Sequence, residues 1–149
     1  MSSILPPHAL LYEDTVRAAL REDLGRAGDL TTEALVDPEA TAVGRIVARR
    51  SGRVAGTGAA ATAFRLLGAE LQVEIEVDDG EAAEAGARLI RLAGPTRAML
   101  TGERTALNFL GHLSGIATLT DAYARAVSGT AARIVCTRKT LPGLRLLEK

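Results

Sequence analysis

The residues best suited to chemistry fall in one run, Ile134-Val135-Cys136-Thr137-Arg138-Lys139-Thr140-Leu141-Pro142-Gly143-Leu144-Arg145. Adjacent Arg138 and Lys139, flanked by the hydroxyls of Thr137 and Thr140 and followed by the turn-forming Pro142-Gly143, suit a small polyanion. Arg offers a planar fork for a carboxylate or phosphate and Lys a compact point charge, so the pair can hold two anionic groups. From charge alone, the same pair is equally readable as a solvated patch on a loop. Its placement argues for binding. Ala131 to Cys136 predicts a buried strand of the parallel type, and in open α/β sheets and barrels ligands bind beyond the carboxyl ends of the strands.

Other reactive side chains are less well grouped. On a helical wheel Met99, Ala106, Leu110, Leu113 and Ala117 share one face, and Arg104 lies nearly opposite with Asn108, Gly111 and Gly115. An outward Arg is ordinarily solvated, but a stripe of one cation, one amide and two glycines also suits close approach of a second subunit. Glu103 falls near the apolar face without an evident partner. His8 and His112 have no second ligand at metal spacing, and no metal ligand is assigned. Cys136 reads as a small buried hydrophobe. Asp78-Asp79-Gly80 after an alternating strand reads as a turn, the Arg49, Arg50 and Arg53 cluster as an exposed turn, and Arg145 and Lys149 as surface cations.

Several elements must position these groups. Leu11 to Leu24 predicts an amphipathic helix with Val16, Leu20 and Leu24 on one stripe, closed by Gly25 and followed by a turn-rich stretch to Thr32. Thr41 to Ala48 and Arg53 to Gly58 predict short strands, and Ala59 to Leu67 an Ala-rich helix ended by Gly68. Leu71, Val73, Ile75 and Val77 alternate with polar residues, the pattern of a half-buried strand. Gly94-Pro95 predicts the end of the sheet region. A helix follows from about Thr96 to Leu113, interrupted at Gly115, then a second from Ala117 to Val127.

Composition limits the classes of function. The 149 residues suffice for one sizeable core, with 47% hydrophobic residues. Eighteen basic and eighteen acidic residues cancel, so there is no global basic field for nucleic acid and any anion binding must be local. Aromatics are only 3% and Trp is absent, which argues against base-stacking platforms. No apolar run approaches membrane-spanning length, and Met1 to His8 lacks the pattern of a signal peptide. A single cysteine excludes an internal disulfide. A cytoplasmic protein is expected.

Thr137-Arg138-Lys139-Thr140-Leu141-Pro142-Gly143-Leu144-Arg145 is preceded by Gly102-Glu103-Arg104-Thr105-Ala106-Leu107-Asn108-Phe109-Leu110 and by Leu113-Ser114-Gly115-Ile116-Ala117-Thr118. With Gly28-Asp29-Leu30-Thr31-Thr32 near the start, and Glu84-Ala85-Gly86 before Gly94-Pro95, this series closely resembles the quinolinate phosphoribosyltransferases. The resemblance runs from about residue 12 to the last residue, with the motifs in family order. It implies an α+β, sandwich-like N-terminal domain with a connecting helix over residues 1–115. Residues 116–149 would then open an α/β (TIM-like) barrel with its first strand. A complete barrel takes about 250 residues, or roughly 200 at the low end, so the barrel is expected to be incomplete here and the chain to be an N-terminal fragment, inactive by itself.

The resemblance further implies phosphoribosyl transfer from phosphoribosyl pyrophosphate to quinolinate with decarboxylation, in NAD biosynthesis. Thr137, Arg138 and Lys139 match the family's substrate loop, Arg138 and Lys139 holding quinolinate carboxylates and phosphate groups, and Lys139 acting catalytically on the leaving pyrophosphate. Arg104 matches an arginine that reaches the neighbouring subunit's site, so a homodimer or higher homo-oligomer is implied. Magnesium accompanies the sugar diphosphate, its ligands falling outside this chain. Asp78-Asp79 superficially resembles the diphosphate-sugar motif of the Rossmann-like phosphoribosyltransferases but lacks the Thr-rich loop that follows it. Two alternatives stand beside this reading. One is a molybdenum-transport-associated relative of the same fold, the other a noncatalytic oligomerisation module.

Overall fold

A computed structural model of the chain describes residues 6–149; the reading of Met1 to Leu5 as lacking a leader lies outside them. A 3-10 turn, Ala9–Leu11, leads into helix α1, Glu13–Leu24. Val16 and Leu20 are buried on its inner stripe, and Gly25, at φ 54°, ends it while its N–H bonds back to Arg21. Helix α2, Leu30–Leu35, occupies part of the stretch predicted as turns. Its brevity hides it from periodicity, but Asp29 caps it, accepting from the Thr32 N–H at 3.0 Å.

Five strands follow: β1 Thr41–Val47, β2 Gly52–Arg53, β3 Gln72–Ile75, β4 Ala82–Ala83 and β5 Arg88–Pro95. One antiparallel sheet has the order β1-β5-β3, and β2 pairs with β4 in a second. The sheet ends at Gly94-Pro95 as expected, these two being the last paired residues of β5, Gly94 opposite Ala42 and Pro95 opposite Thr41, before the helix that starts at Thr96. Gly94 has φ 139°, and a Cβ there would sit 3.0 Å from the Glu70 carbonyl, so a neighbouring chain passes where a side chain would stand. The strand predicted over Arg53 to Gly58 shrinks to two residues because the next helix begins at Thr57.

That helix, α3, spans Thr57–Arg65 and is buried along most of its length. It packs on α4, a single helix over Thr96–Ala126. The predicted interruption at Gly115 does not occur, and the helix passes through the expected domain boundary without a break. A glycine weakens a helix interior by only about 1 kcal/mol relative to Ala, and contacts on both sides of Gly115 outweigh that. Phe64 of α3 is 1% exposed and meets Met99, Ala106, Phe109 and Leu110 of α4 in one core with Val16, Leu20, Ile90 and Leu92. The two helices approach closely at Gly102, where a Cβ would lie 2.8 Å from the Phe64 ring.

Asp79 explains why the turn after β3 is acidic. Its carboxylate accepts from the Thr57 N–H at 2.9 Å and the Thr57 hydroxyl at 2.6 Å, serving the open N-terminus of α3. The strand predicted over Ala131 to Cys136 is not formed. These residues are exposed and belong to no sheet among the described residues, and Cys136 is exposed rather than buried. A parallel strand of this apolar kind needs neighbours on its edges and layers on its faces, and none of the described elements provides them. The last element is a short helix, α5, Arg145–Glu148.

Candidate functional site

Arg104 leaves α4 on its exposed face, in the stripe with Asn108, Gly111 and Gly115. Its guanidinium donates to Asp23 of α1 at 2.8 Å. One turn earlier, the Thr101 hydroxyl donates to the second oxygen of Asp29 at 3.1 Å. Asp29 therefore ties the start of α2 to α4. Hydrogen bonds from the Thr32 side chain and backbone, then from Thr101, with the Arg104 charge adding to them, hold the Asp29 carboxyl below its ordinary range. The hydrogen bond and charge of Asp23, with Asp29 adding a smaller attraction, hold the Arg104 guanidinium above its own, so it remains a cation.

The loop from Thr137 to Leu141 is shaped by its own polar side chains. Thr137 Oγ1 accepts from the Lys139 N–H at 3.1 Å, closing a tight turn that leaves Arg138 and Lys139 exposed. Arg145, read from sequence as a surface cation, instead reaches back across the loop. It donates to Thr140 Oγ1 at 3.3 Å and to the Arg138 carbonyl at 3.4 Å. Glu148 accepts from the Leu141 N–H at 3.1 Å through one oxygen and meets His112 Nε2 of α4 at 2.8 Å through the other.

The two sets of cations come from different elements, Arg104 from α4 and Arg138 with Lys139 from the segment beyond it. A cleft of about 550 Å³ opens between α1 and α4, lined by Ala18, Asp23, Asn108, Phe109, His112 and Leu144 among others. Asp23, the partner of Arg104, and Leu144, just beyond the cationic loop, border the same hollow, but Arg138 and Lys139 do not line it. The structure thus brings Arg104's partner and the loop's anchor to one groove without enclosing the loop cations. Among the described residues no three His, Cys, Asp or Glu side chains are grouped to hold a metal ion.

The Leu113 to Thr118 motif has a structural task. Ser114 Oγ accepts from the Ala55 N–H at 3.0 Å and donates to its carbonyl at 3.1 Å. One turn on, Thr118 Oγ1 accepts from the Arg53 N–H at 2.9 Å. Arg53 is no free surface cation, since it pairs with Asp121 at 3.0 Å and donates to the Gly80 carbonyl at 3.0 Å. Two hydroxyls one helical turn apart thus pair with backbone groups at and just beyond β2, much as a neighbouring strand would.

Sequence reasoning missed Asp23, Asp29, Arg145 and Glu148. Only Asp29 carried a usable local signal, an Asp three residues before Thr32 at the start of a helix. The others act on groups at least five residues away, and their partners become evident only after folding.

This is an α+β domain that presents one arginine from a long helix and an Arg-Lys pair from the segment beyond it. Residues 29–114 match the model of the quinolinate phosphoribosyl transferase N-terminal domain, and residues 116–149 that of the C-terminal domain. The chain belongs to the quinolinate phosphoribosyl transferase family. It is 44% identical to the nicotinate-nucleotide pyrophosphorylase [carboxylating] of Mycobacterium leprae, over 91% of this chain and 49% of that protein. It is 35% identical to quinolinate phosphoribosyltransferase [decarboxylating] 1b of Nicotiana tabacum, over 98% of this chain and 42% of that protein. The solved NadC of Streptococcus pyogenes superposes with a TM-score of 0.93 at 37% identity, covering 98% of this chain and 52% of that one. The chain spans about half the length of the relatives it matches. No helix among the described residues is long and apolar enough to cross a membrane.

Proposed function

We propose that this chain contributes part of the active site of a decarboxylating quinolinate phosphoribosyltransferase, acting on quinolinate and phosphoribosyl pyrophosphate in NAD biosynthesis. The observation that carries the reading is the loop from Thr137 to Leu141, braced by the side chains of Thr137, Arg145 and Glu148, with Arg138 and Lys139 exposed. Both substrates are polyanions, and a rigid loop presenting a guanidinium fork beside an ammonium group answers that demand. Arg138 takes a quinolinate carboxylate and Lys139 the phosphate groups. Arg104 serves the site of a second copy in a homo-oligomer, a role supported by its exposure and by the open space over Gly111 and Gly115.

In the reaction, the bond from the ribose carbon to pyrophosphate breaks and the pyridine nitrogen bonds to that carbon. Lys139 stabilises the charge that develops on the departing diphosphate. Magnesium, when bound to the sugar diphosphate, neutralises part of the same charge. The carbon–carboxylate bond then breaks, its electron pair staying on the ring carbon, where the adjacent cationic nitrogen stabilises it until a proton replaces the lost CO2. The products are nicotinate mononucleotide, CO2 and pyrophosphate. Residues 116–149 open the α/β barrel in this reading, where the apolar Ala131 to Cys136 segment becomes the first strand once it is paired. A cytoplasmic setting completes it.

Calorimetric titration of the protein carrying these residues with quinolinate tests the proposal, alongside chromatography for nicotinate mononucleotide. Loss of a charge-assisted fork at Arg138→Ala lowers affinity by about tenfold to a hundredfold. Equal binding by wild type and Arg138→Ala refutes the assignment. Tight self-association without quinolinate binding would point instead to a noncatalytic module. The described residues hold only part of a site, so normal turnover by the 149-residue polypeptide alone would also count against this division of labour.

A further inference from the structure

We propose that His112 and Glu148 form a clamp that fixes where the cationic loop ends, making them positioning residues for Arg138 and Lys139. The inference rests on the reading of that loop as the binding element for quinolinate and phosphoribosyl pyrophosphate, and it adds residues to which that reading assigned no role. Three observations carry it. The Glu148 side chain is 8% exposed, although it sits on a four-residue helix at the surface. Both of its oxygens are used, one by the Leu141 N–H at 3.1 Å and the other by His112 Nε2 at 2.8 Å. Those partners belong to different bodies: Leu141 closes the loop, and His112 stands two turns beyond Arg104 on the helix that anchors the core.

A carboxylate so withdrawn from water is held by its hydrogen-bond donors, and losing one leaves charge poorly compensated. Glu148 therefore has strong reason to keep both contacts, and by keeping them it ties the loop to α4. Arg145 braces the same loop from its other side through Thr140 and the Arg138 carbonyl. The loop is thereby bounded at its middle by Arg145 and at its end by Glu148. Leu144 and Leu147 pack beside the core that α4 anchors, and the Glu148 contact adds a directional hydrogen bond between the loop and the long helix. Neither His112 nor Glu148 reaches the outward-facing groups of the loop by any of these bonds.

The test compares wild type, His112→Ala and His112→Gln in the protein carrying these residues. Gln offers an N–H near the position of His Nε2, so it can restore the donor without the ring. His112 is itself partly exposed, and its removal empties no core. The first readout is amide hydrogen exchange at Leu141, which needs no ligand. It accelerates about tenfold in His112→Ala, as for loss of a hydrogen bond to a charged group, and returns towards wild type in His112→Gln. The second is steady-state kinetics with quinolinate, in which His112→Ala raises KM through Arg138 and lowers kcat through Lys139, both returning towards wild type in His112→Gln. A double-mutant cycle adds that His112→Ala costs nothing further once Glu148→Ala is present. Unchanged Leu141 exchange in His112→Ala overturns the clamp, as does acceleration spread evenly through α3 and α4. If exchange responds as described but wild type fails to bind quinolinate, the clamp stands and the functional reading falls.

Discussion

The Arg104 guanidinium and the Asp23 carboxylate meet at 2.8 Å, joining helices α4 and α1 across 81 positions of sequence. Arg104 remains largely exposed, so this contact adds little to stability. What it does is aim the cation. Without Asp23 the long side chain would sample many rotamers, and holding it still before a ligand arrives lowers the entropy lost on binding.

Replacing Asp23 with Ala should leave the thermal midpoint almost unchanged and weaken quinolinate binding by about threefold to tenfold, the scale of one immobilised side chain. Calorimetry beside a thermal melt checks this. Affinity equal to wild type would show that Asp23 does not orient Arg104.

The Asp29 carboxyl supplies a pH dependence whose sign follows from its direction of shift. Its folded pKa lies below the ordinary value because Thr32 and Thr101 bond the charged form. The stabilisation is therefore fully present above the unfolded range, near pH 4, and is lost as pH falls through the depressed folded value. Asn at this position still caps a helix but lacks the charge that Thr32 and Thr101 stabilise, so Asp29→Asn should fold, be less stable than wild type at neutral pH, and converge with it in acid, giving a flatter acid limb in denaturant titrations. An identical acid limb would remove Asp29 from the explanation.

Gly102 allows α3 and α4 to touch, and a methyl group there would meet the Phe64 ring and Leu67. Gly102→Ala gains helix propensity but overpacks the core, a change of about 1–3 kcal/mol in the destabilising direction. Urea unfolding measures it, and a stabilised variant would mean the helices part easily.

Ser114→Ala should destabilise more than Thr118→Val. The Ala55 N–H and carbonyl that Ser114 serves are partly buried, whereas the Arg53 N–H bonded by Thr118 is exposed and can turn to water. A buried unmet group costs about 1–3 kcal/mol. The reverse order in chemical denaturation would contradict the contrast in burial.

The strongly periodic elements were legible from sequence. Val16 and Leu20 on α1, the alternation from Leu71 to Val77, and Met99, Ala106, Leu110 and Leu113 on α4 all face as their spacing predicts. Gly94-Pro95 does end the sheet. Gly115 looks like a break too, but local propensity is worth about 1 kcal/mol and tertiary contacts overrule it there. At Gly94 the absent side chain is what admits the neighbouring backbone.

The site divides in the same manner. Residue chemistry marked Arg104, Arg138 and Lys139 as cations fit for polyanions, and the order of motifs marked the family, because charge type and short-range spacing are properties of the chain itself. Only the folded arrangement disclosed that Asp23 holds Arg104, that Asp79 serves the start of α3 from 22 residues away, and that Glu148 ties the loop to His112. It also decided against a strand over Ala131 to Cys136 among the described residues, since β structure depends on a partner edge. A hydrogen bond between distant segments has no signature in either one, because its geometry exists only once the intervening chain has folded.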